Sequence, residues 1–284
     1  MLGAELPATG RAASGGPHRS VPGMPGLDEQ PIRSPTKAAA SKASARGVRS
    51  GAEAVAACLY SLGFGEAPCI GIVGDRGTGK STAMRAICSG YLQKSVGLVL
   101  ACDKGNASRF AGQLRVDVAD LAARPMDAEP RVVIFTGDPY SGIDPNPEGV
   151  AEFAWKLAAR RVPTLQAVDE LKWAARGGWW RRGVVWLPQS CSEGRKHGVG
   201  IVWASQSPQD APREAVEEAG LLVCYRLAGL GLDRLEERNY LRGLPREIVE
   251  GLPGDLSPPA ERGRCVILRR GQAWDRCFYR FDAI

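Results

Sequence analysis

An α/β domain, with a mainly parallel sheet flanked by helices, is the fold class this sequence predicts. Two observations predict it. From about residue 66 onward, short apolar runs of strand length alternate with segments of helical periodicity, the pattern of successive strand–helix–strand units. Polar and charged residues close several of those runs, at the carboxyl ends where open α/β sheets hold their ligands.

Taken in order, the folded part opens with a helix over Ala52 to Leu62 and a buried strand over Cys69 to Val73. The next residues, Gly74-Asp75-Arg76-Gly77-Thr78-Gly79-Lys80-Ser81-Thr82, contain the G-x-x-x-x-G-K-S spacing of a phosphate-binding loop. Glycines let successive backbone N–H groups turn inward around phosphate oxygens, Lys80 adds a mobile cation, and the Ser81 hydroxyl can ligate Mg²⁺. Helix formers continue from Ser81, so a helix N-terminus faces the anion. A nucleoside triphosphate such as ATP is the implied ligand; the alternative is a Gly-rich turn that binds nothing.

A second strand spans Val96 to Cys102 and ends in Asp103-Lys104-Gly105; Arg131 to Phe135 is a third. A loop rich in Gly, Asp and Pro, Gly137 to Glu148, leads to a helix over Val150 to Arg161. The fourth strand, Thr164 to Val168, ends in Asp169-Glu170. The fifth, Val199 to Ala204, ends in Ser205-Gln206-Ser207-Pro208, and the sixth is Gly220 to Tyr225. Beyond Leu232 come a charged helix and two apolar runs, Cys265 to Leu268 and Cys277 to Phe281, which read as an edge hairpin.

The chain of 284 residues has room for one sizeable core, expected over residues 51–284. Residues 1–50 are dense in Gly, Pro, Ala and Ser with scattered Arg and Lys. That composition predicts a disordered tail, either a basic arm for a partner or a plain extension. A net charge of +6 and a pI near 9.0 fit a polyanionic partner without requiring one. The eight cysteines contain no C-x-x-C pair and several lie inside apolar runs, which reads as buried thiols of a reducing cytoplasm. With two histidines, a structural zinc site is not expected. Neither a membrane-length apolar stretch nor a secretory signal is read.

Asp169 after an apolar strand fits a carboxylate that holds Mg²⁺, and adjacent Glu170 suits a base for the attacking water. A helix-capping acidic pair is the other reading. Gln206 has an amide able to touch both the γ-phosphate and a water, or to serve local turn chemistry. The stretch from Lys172 to Gly183 interleaves Trp173, Trp179 and Trp180 with Arg176, Arg181 and Arg182. Rings to stack on bases and cations for phosphates suit a nucleic-acid channel; tryptophan anchors at a subunit interface fit the same composition.

The run of G-D-R-G-T-G-K-S, A-C-D-K-G, V-D-E and then G-R-K-H-G-V-G-I-V-W-A-S-Q-S-P resembles the FtsK–HerA superfamily of DNA-pumping ATPases. The resemblance covers residues 66 to about 230. It implies a RecA-like P-loop NTPase core, ATP and Mg²⁺ as cofactors, Lys80 and Ser81 on the phosphates and metal, and Asp169 on the metal. Glu170 would act on the water and Gln206 as a sensor. Arg195, just before the Gln-bearing strand, is similar in position to the family's arginine finger, which enters a neighbouring subunit's site. A homo-oligomeric ring, hexameric, on double-stranded DNA follows from that resemblance. With no extra membrane or winged-helix module read, the chain most resembles the packaging ATPases of viruses or mobile elements, cytoplasmic or virion-associated, with capsid or portal proteins as further partners. The alternatives are a P-loop ATPase for virion assembly acting on a protein instead of DNA, and a nucleotide kinase, for which no lid insertion is evident.

Overall fold

In the computed structural model the structure describes residues 47–60, 67–94, 97–103, 113–115, 132–136, 147–171, 185–258 and 261–282. All of them belong to one unit, Ala38–Ile284. Ten strands form a sheet in the order β1-β10-β9-β8-β2-β7-β6-β3-β5-β4. They are β1 (Val48–Ser50), β2 (Cys69–Val73), β3 (Leu98–Asp103), β4 (Gln113–Arg115), β5 (Val132–Thr136), β6 (Thr164–Val168), β7 (Val199–Ser205), β8 (Leu221–Cys224), β9 (Arg264–Arg269) and β10 (Phe278–Arg280). The helices are α1 (Ala52–Leu59), α2 (Lys80–Lys94), α3 (Pro147–Ala159), α4 (Trp186–Ser192), α5 (Gly194–His197), α6 (Arg213–Glu218), α7 (Leu230–Glu237) and α8 (Arg246–Glu250).

From β8 to β4 every pairing is parallel, through β2, β7, β6, β3 and β5. Their carboxyl ends therefore share one edge of the sheet and their amino ends the other. β9 runs antiparallel to both β8 and β10, as the apolar C-terminal runs predict. The hairpin is not outermost: β1 pairs in parallel with β10 beyond it, although its residues lie on the tail side of the boundary expected at residue 50. The remainder of the expected tail, residues 1–46, lies outside the described residues.

Side chains alternate between two layers, as the two-residue repeat of a strand requires. Ile70 and Ile72 of β2, Val202 and Ala204 of β7, and Leu221 and Val223 of β8 pack with α1 and α2. Val73, Ile201, Trp203, Leu222 and Cys224 face the other way, towards α4, α6 and α7. Trp203 is fully buried, and its ring occupies the space over Gly71, where a Cβ would come within 2.5 Å of it and 2.3 Å of Leu222. Close approach, not backbone freedom, is what demands glycine there. α3 packs through Val150, Phe153, Ala154 and Leu157 on Leu98, Leu100 and Cys102 of β3.

The eight cysteines are all free thiols, buried except for half-buried Cys69. Among the described residues no helix is long and apolar enough to cross a membrane.

Candidate active site

β2 is buried on both faces, and its chain leaves the sheet at Gly74 into the loop that ends where α2 begins at Lys80. Gly74, Gly77 and Gly79 all take positive φ, at 151°, 74° and 107°, so the glycines sit where L-residues are strained. The loop is held from both sides. The Gly74 N–H donates to the Ser205 carbonyl (3.3 Å), and the Asp75 N–H to the Arg226 carbonyl (3.0 Å). Thr78, fully buried, donates from Oγ1 to the Asp75 carbonyl at 2.8 Å. The Tyr225 hydroxyl donates to the Gly79 carbonyl at 3.2 Å.

Lys80 arches over this loop, its Nζ donating to the carbonyls of Gly74 and Asp75, each at 2.8 Å. Burial lowers its pKa from the ordinary lysine value, while Glu170, Asp169 and Asp75 pull the other way. A partly desolvated ammonium among acids is poised to exchange neutral carbonyl acceptors for phosphate oxygens. Ser81, one residue into α2, directs its Oγ at Asp169 Oδ2, 3.3 Å away, from the end of β6. A hydroxyl and a carboxylate are the hard oxygen donors that Mg²⁺ takes, with water and phosphate oxygens completing its shell. This donor set fits the ion.

Glu170 follows with φ 58°, a left-handed backbone that a non-glycine residue adopts only at a cost, of the kind found at functional sites. Its Oε2 accepts from the Gln206 amide Nε2 at 3.4 Å. Thus β2, β6 and β7 bring Lys80, Ser81, Asp169, Glu170 and Gln206 to one edge of the sheet, as their positions in the sequence lead one to expect. Arg76, Gly77 and Asp75 lie exposed on the loop and Thr82 follows on the first turn of α2. Arg85 donates from Nη2 to Thr82 Oγ1 at 3.3 Å, which occupies the Thr82 hydroxyl with its own helix. Asp103 closes β3 at the same edge, while Lys104 and Gly105 lie outside the described residues.

Arg195 is not brought to this edge. It sits on α5, which delivers the chain to the amino end of β7, whereas Gln206 follows the carboxyl end. Seven residues of strand intervene, about 20 Å at the usual rise per residue. There Arg195 lines a cavity of about 710 Å³ with Cys58, Cys69, Cys191, Glu218 and Arg269. The Trp- and Arg-rich stretch from Lys172 to Gly183 lies outside the described residues.

Four supporting residues have no motif that reveals them. Glu148 caps α4, its carboxylate accepting from the N–H groups of Val185, Trp186 and Leu187 at 2.5, 2.6 and 3.1 Å. Tyr225 and Arg226 steady the phosphate loop from the end of β8. Asp255 lies against Gly77, where a Cβ would meet its Oδ1 at 2.4 Å. It is the pairing of β8 with β2, a tertiary feature, that brings the residues after β8 to the loop.

No protein-family model matches the chain, and no curated protein matches it in sequence. Solved structures match its fold. The genome packaging NTPase B204 from Sulfolobus turreted icosahedral virus 2, in complex with AMP, superposes with a TM-score of 0.56 at 14% identity, over 78% of this chain and 98% of that one. The same NTPase in complex with sulfate gives 0.56 at 12% identity, covering 77% and 98%. The bacterial conjugative coupling protein TrwB, lacking its N-terminal residues, gives 0.54 at 9% identity, covering 83% and 92%. The chain thus has the P-loop NTPase fold that its resemblance to the FtsK–HerA superfamily implies.

Proposed function

We propose that this chain is an ATP-hydrolysing DNA translocase motor of the genome-packaging kind, working as a homo-oligomeric ring. The observation that carries the proposal is the meeting of Ser81 with Asp169 and of Glu170 with Gln206 beside Lys80. Binding and hydrolysis groups converge there at the end of a phosphate loop. In this reading the loop N–H groups from Arg76 to Ser81 and the N-terminus of α2 receive the β- and γ-phosphates. Lys80 transfers its hydrogen bonds from the loop carbonyls to phosphate oxygens. Ser81 and Asp169 would hold Mg²⁺, which would supply positive charge against the triphosphate. Glu170 accepts the proton of the attacking water as its oxygen bonds to the γ-phosphorus and the bond to ADP breaks. Gln206 orients the Glu170 carboxylate and registers whether the γ-phosphate is present.

Arg195 supplies its guanidinium to the site of a neighbouring subunit. Its position a strand's length from its own phosphate loop supports action in trans, and a guanidinium suits developing phosphoryl charge because it stays ionised and forks its donors. The packaging role draws on the viral genome packaging NTPase that shares this fold, and the DNA contact on the basic, tryptophan-rich stretch Lys172–Gly183. A hexamer, and docking to capsid or portal proteins, complete the proposal.

ATPase activity of the purified chain, measured with and without duplex DNA at rising salt, tests it. Stimulation by DNA that falls steeply with salt is expected, because phosphate contacts release counterions. A rate indifferent to DNA overturns the translocase assignment in favour of an assembly ATPase with a protein partner, and no hydrolysis at all overturns both.

A further inference from the structure

A loop built to hold a polyanion carries an acid, Asp75, directly after its first glycine. Asp75 is one of three carboxylates that act on Lys80. Left to itself it would compete with phosphate for that ammonium and repel the incoming anion. Its N–H is fixed to the Arg226 carbonyl at 3.0 Å, which sets the two residues side by side across the ends of β2 and β8. The Arg226 Nε stands 4.0 Å from Asp75 Oδ2. The guanidinium reaches that position over buried Gly254, where a Cβ would come within 2.8 Å of Nη1. Any larger residue at 254 would have to displace the guanidinium.

We infer that Arg226 is a positioning residue for the nucleotide, whose guanidinium draws the Asp75 carboxylate away from the phosphate cradle and from Lys80. This rests on the phosphate loop binding ATP. Arg226 acts through Asp75 and not by touching the nucleotide, and Gly254 is the notch that gives it room. About half of each side chain is exposed, so screening keeps the effect modest, and added salt shrinks it further.

The test is a double-mutant cycle on the full chain, with binding of the ATP analogue AMPPCP and Mg²⁺ measured by calorimetry. Arg226→Gln should weaken binding about fivefold with Asp75 present, and less than about twofold in the Asp75→Asn background. Arg226→Lys, which keeps the charge, should recover most of the loss. In turnover the loss should appear in KM and leave kcat within about twofold. An equal loss in both backgrounds overturns the inference, since Arg226 would then touch the nucleotide or merely support the fold. So does an Arg226→Gln protein that binds as the native one does, or an Arg226→Lys variant as weak as the glutamine variant. Failure of the underlying reading looks different: the unsubstituted chain itself would bind no analogue, or bind it no better than Lys80→Ala.

Discussion

The two edges of the parallel sheet are built to different ends. At the carboxyl edge Lys80, Ser81, Asp169, Glu170 and Gln206 interlock through contacts of 3.3 and 3.4 Å and a shared electrostatic field. At the amino edge Arg195 stands beside a cavity with Arg269, whose Nη2 is committed to the Ala57 carbonyl at 2.8 Å. β7 runs between them, beginning after Arg195 at one edge and ending just before Gln206 at the other. β7 is buried along its whole length and holds Arg195 away from the phosphate loop of its own copy. If Arg195 completes a nucleotide site, as proposed, it does so in a neighbouring copy.

The largest effect that can break this comparison is the loss of the finger. Arg195→Ala should lower kcat by about 10³-fold in the assembled protein while leaving analogue binding in place; retention of full turnover would remove the amino edge from the chemistry. Glu170→Gln at the opposite edge should lower kcat by about 100-fold or more with little change in KM, read from steady-state phosphate release. A smaller effect falls on the slab that the edges share. Gly71→Ala presses a methyl group into Trp203 and Leu222, which should cost about 1–3 kcal/mol and lower Tm by about 5 °C, measured by circular dichroism.

The smallest effect is on stability at high pH. Burial pushes the Cys58 thiol, which lines the amino-edge cavity, up to about 12 from an ordinary 9.0. Cys191 in the same cavity is raised by its hydrogen bond with Cys69 and by burial. A raised pKa means the folded state keeps its proton while the unfolded chain loses it, so the stability is whole below pH 9 and is lost as pH rises towards 12. Unfolding followed across that range should show Tm falling above pH 9, and Cys58→Ala should flatten the decline.

Much of this was legible in the sequence because the constraints are local. A phosphate loop needs its glycines, lysine and serine at fixed spacing, and central parallel strands buried on both faces read as largely apolar runs, as β2 and β7 do. Carboxylates closing such runs were placed correctly by the parallel topology alone. Elements without these signals were missed. β1 is three exposed residues, and its pairing with β10 is a tertiary matter. Pro188 inside α4 conceals a helix whose start is secured by Glu148, some forty residues upstream in the chain. Arg226 and Asp255 reach the phosphate loop from connections that carry no periodicity, and Gly71 is explained only by a tryptophan on the neighbouring strand.

The division of labour between the edges is tested most directly by mixing two inactive proteins. Glu170→Gln keeps an intact Arg195 and Arg195→Ala keeps an intact carboxyl edge, so a mixed assembly contains junctions where one copy's Arg195 meets another copy's Glu170. ATP hydrolysis should reappear on mixing, at a fraction of the native rate that follows the proportion of such junctions. If both proteins are stable and assemble together yet the mixture stays as inactive as its components, Arg195 does not complete a neighbour's site, and the account of a nucleotide site shared between copies is wrong.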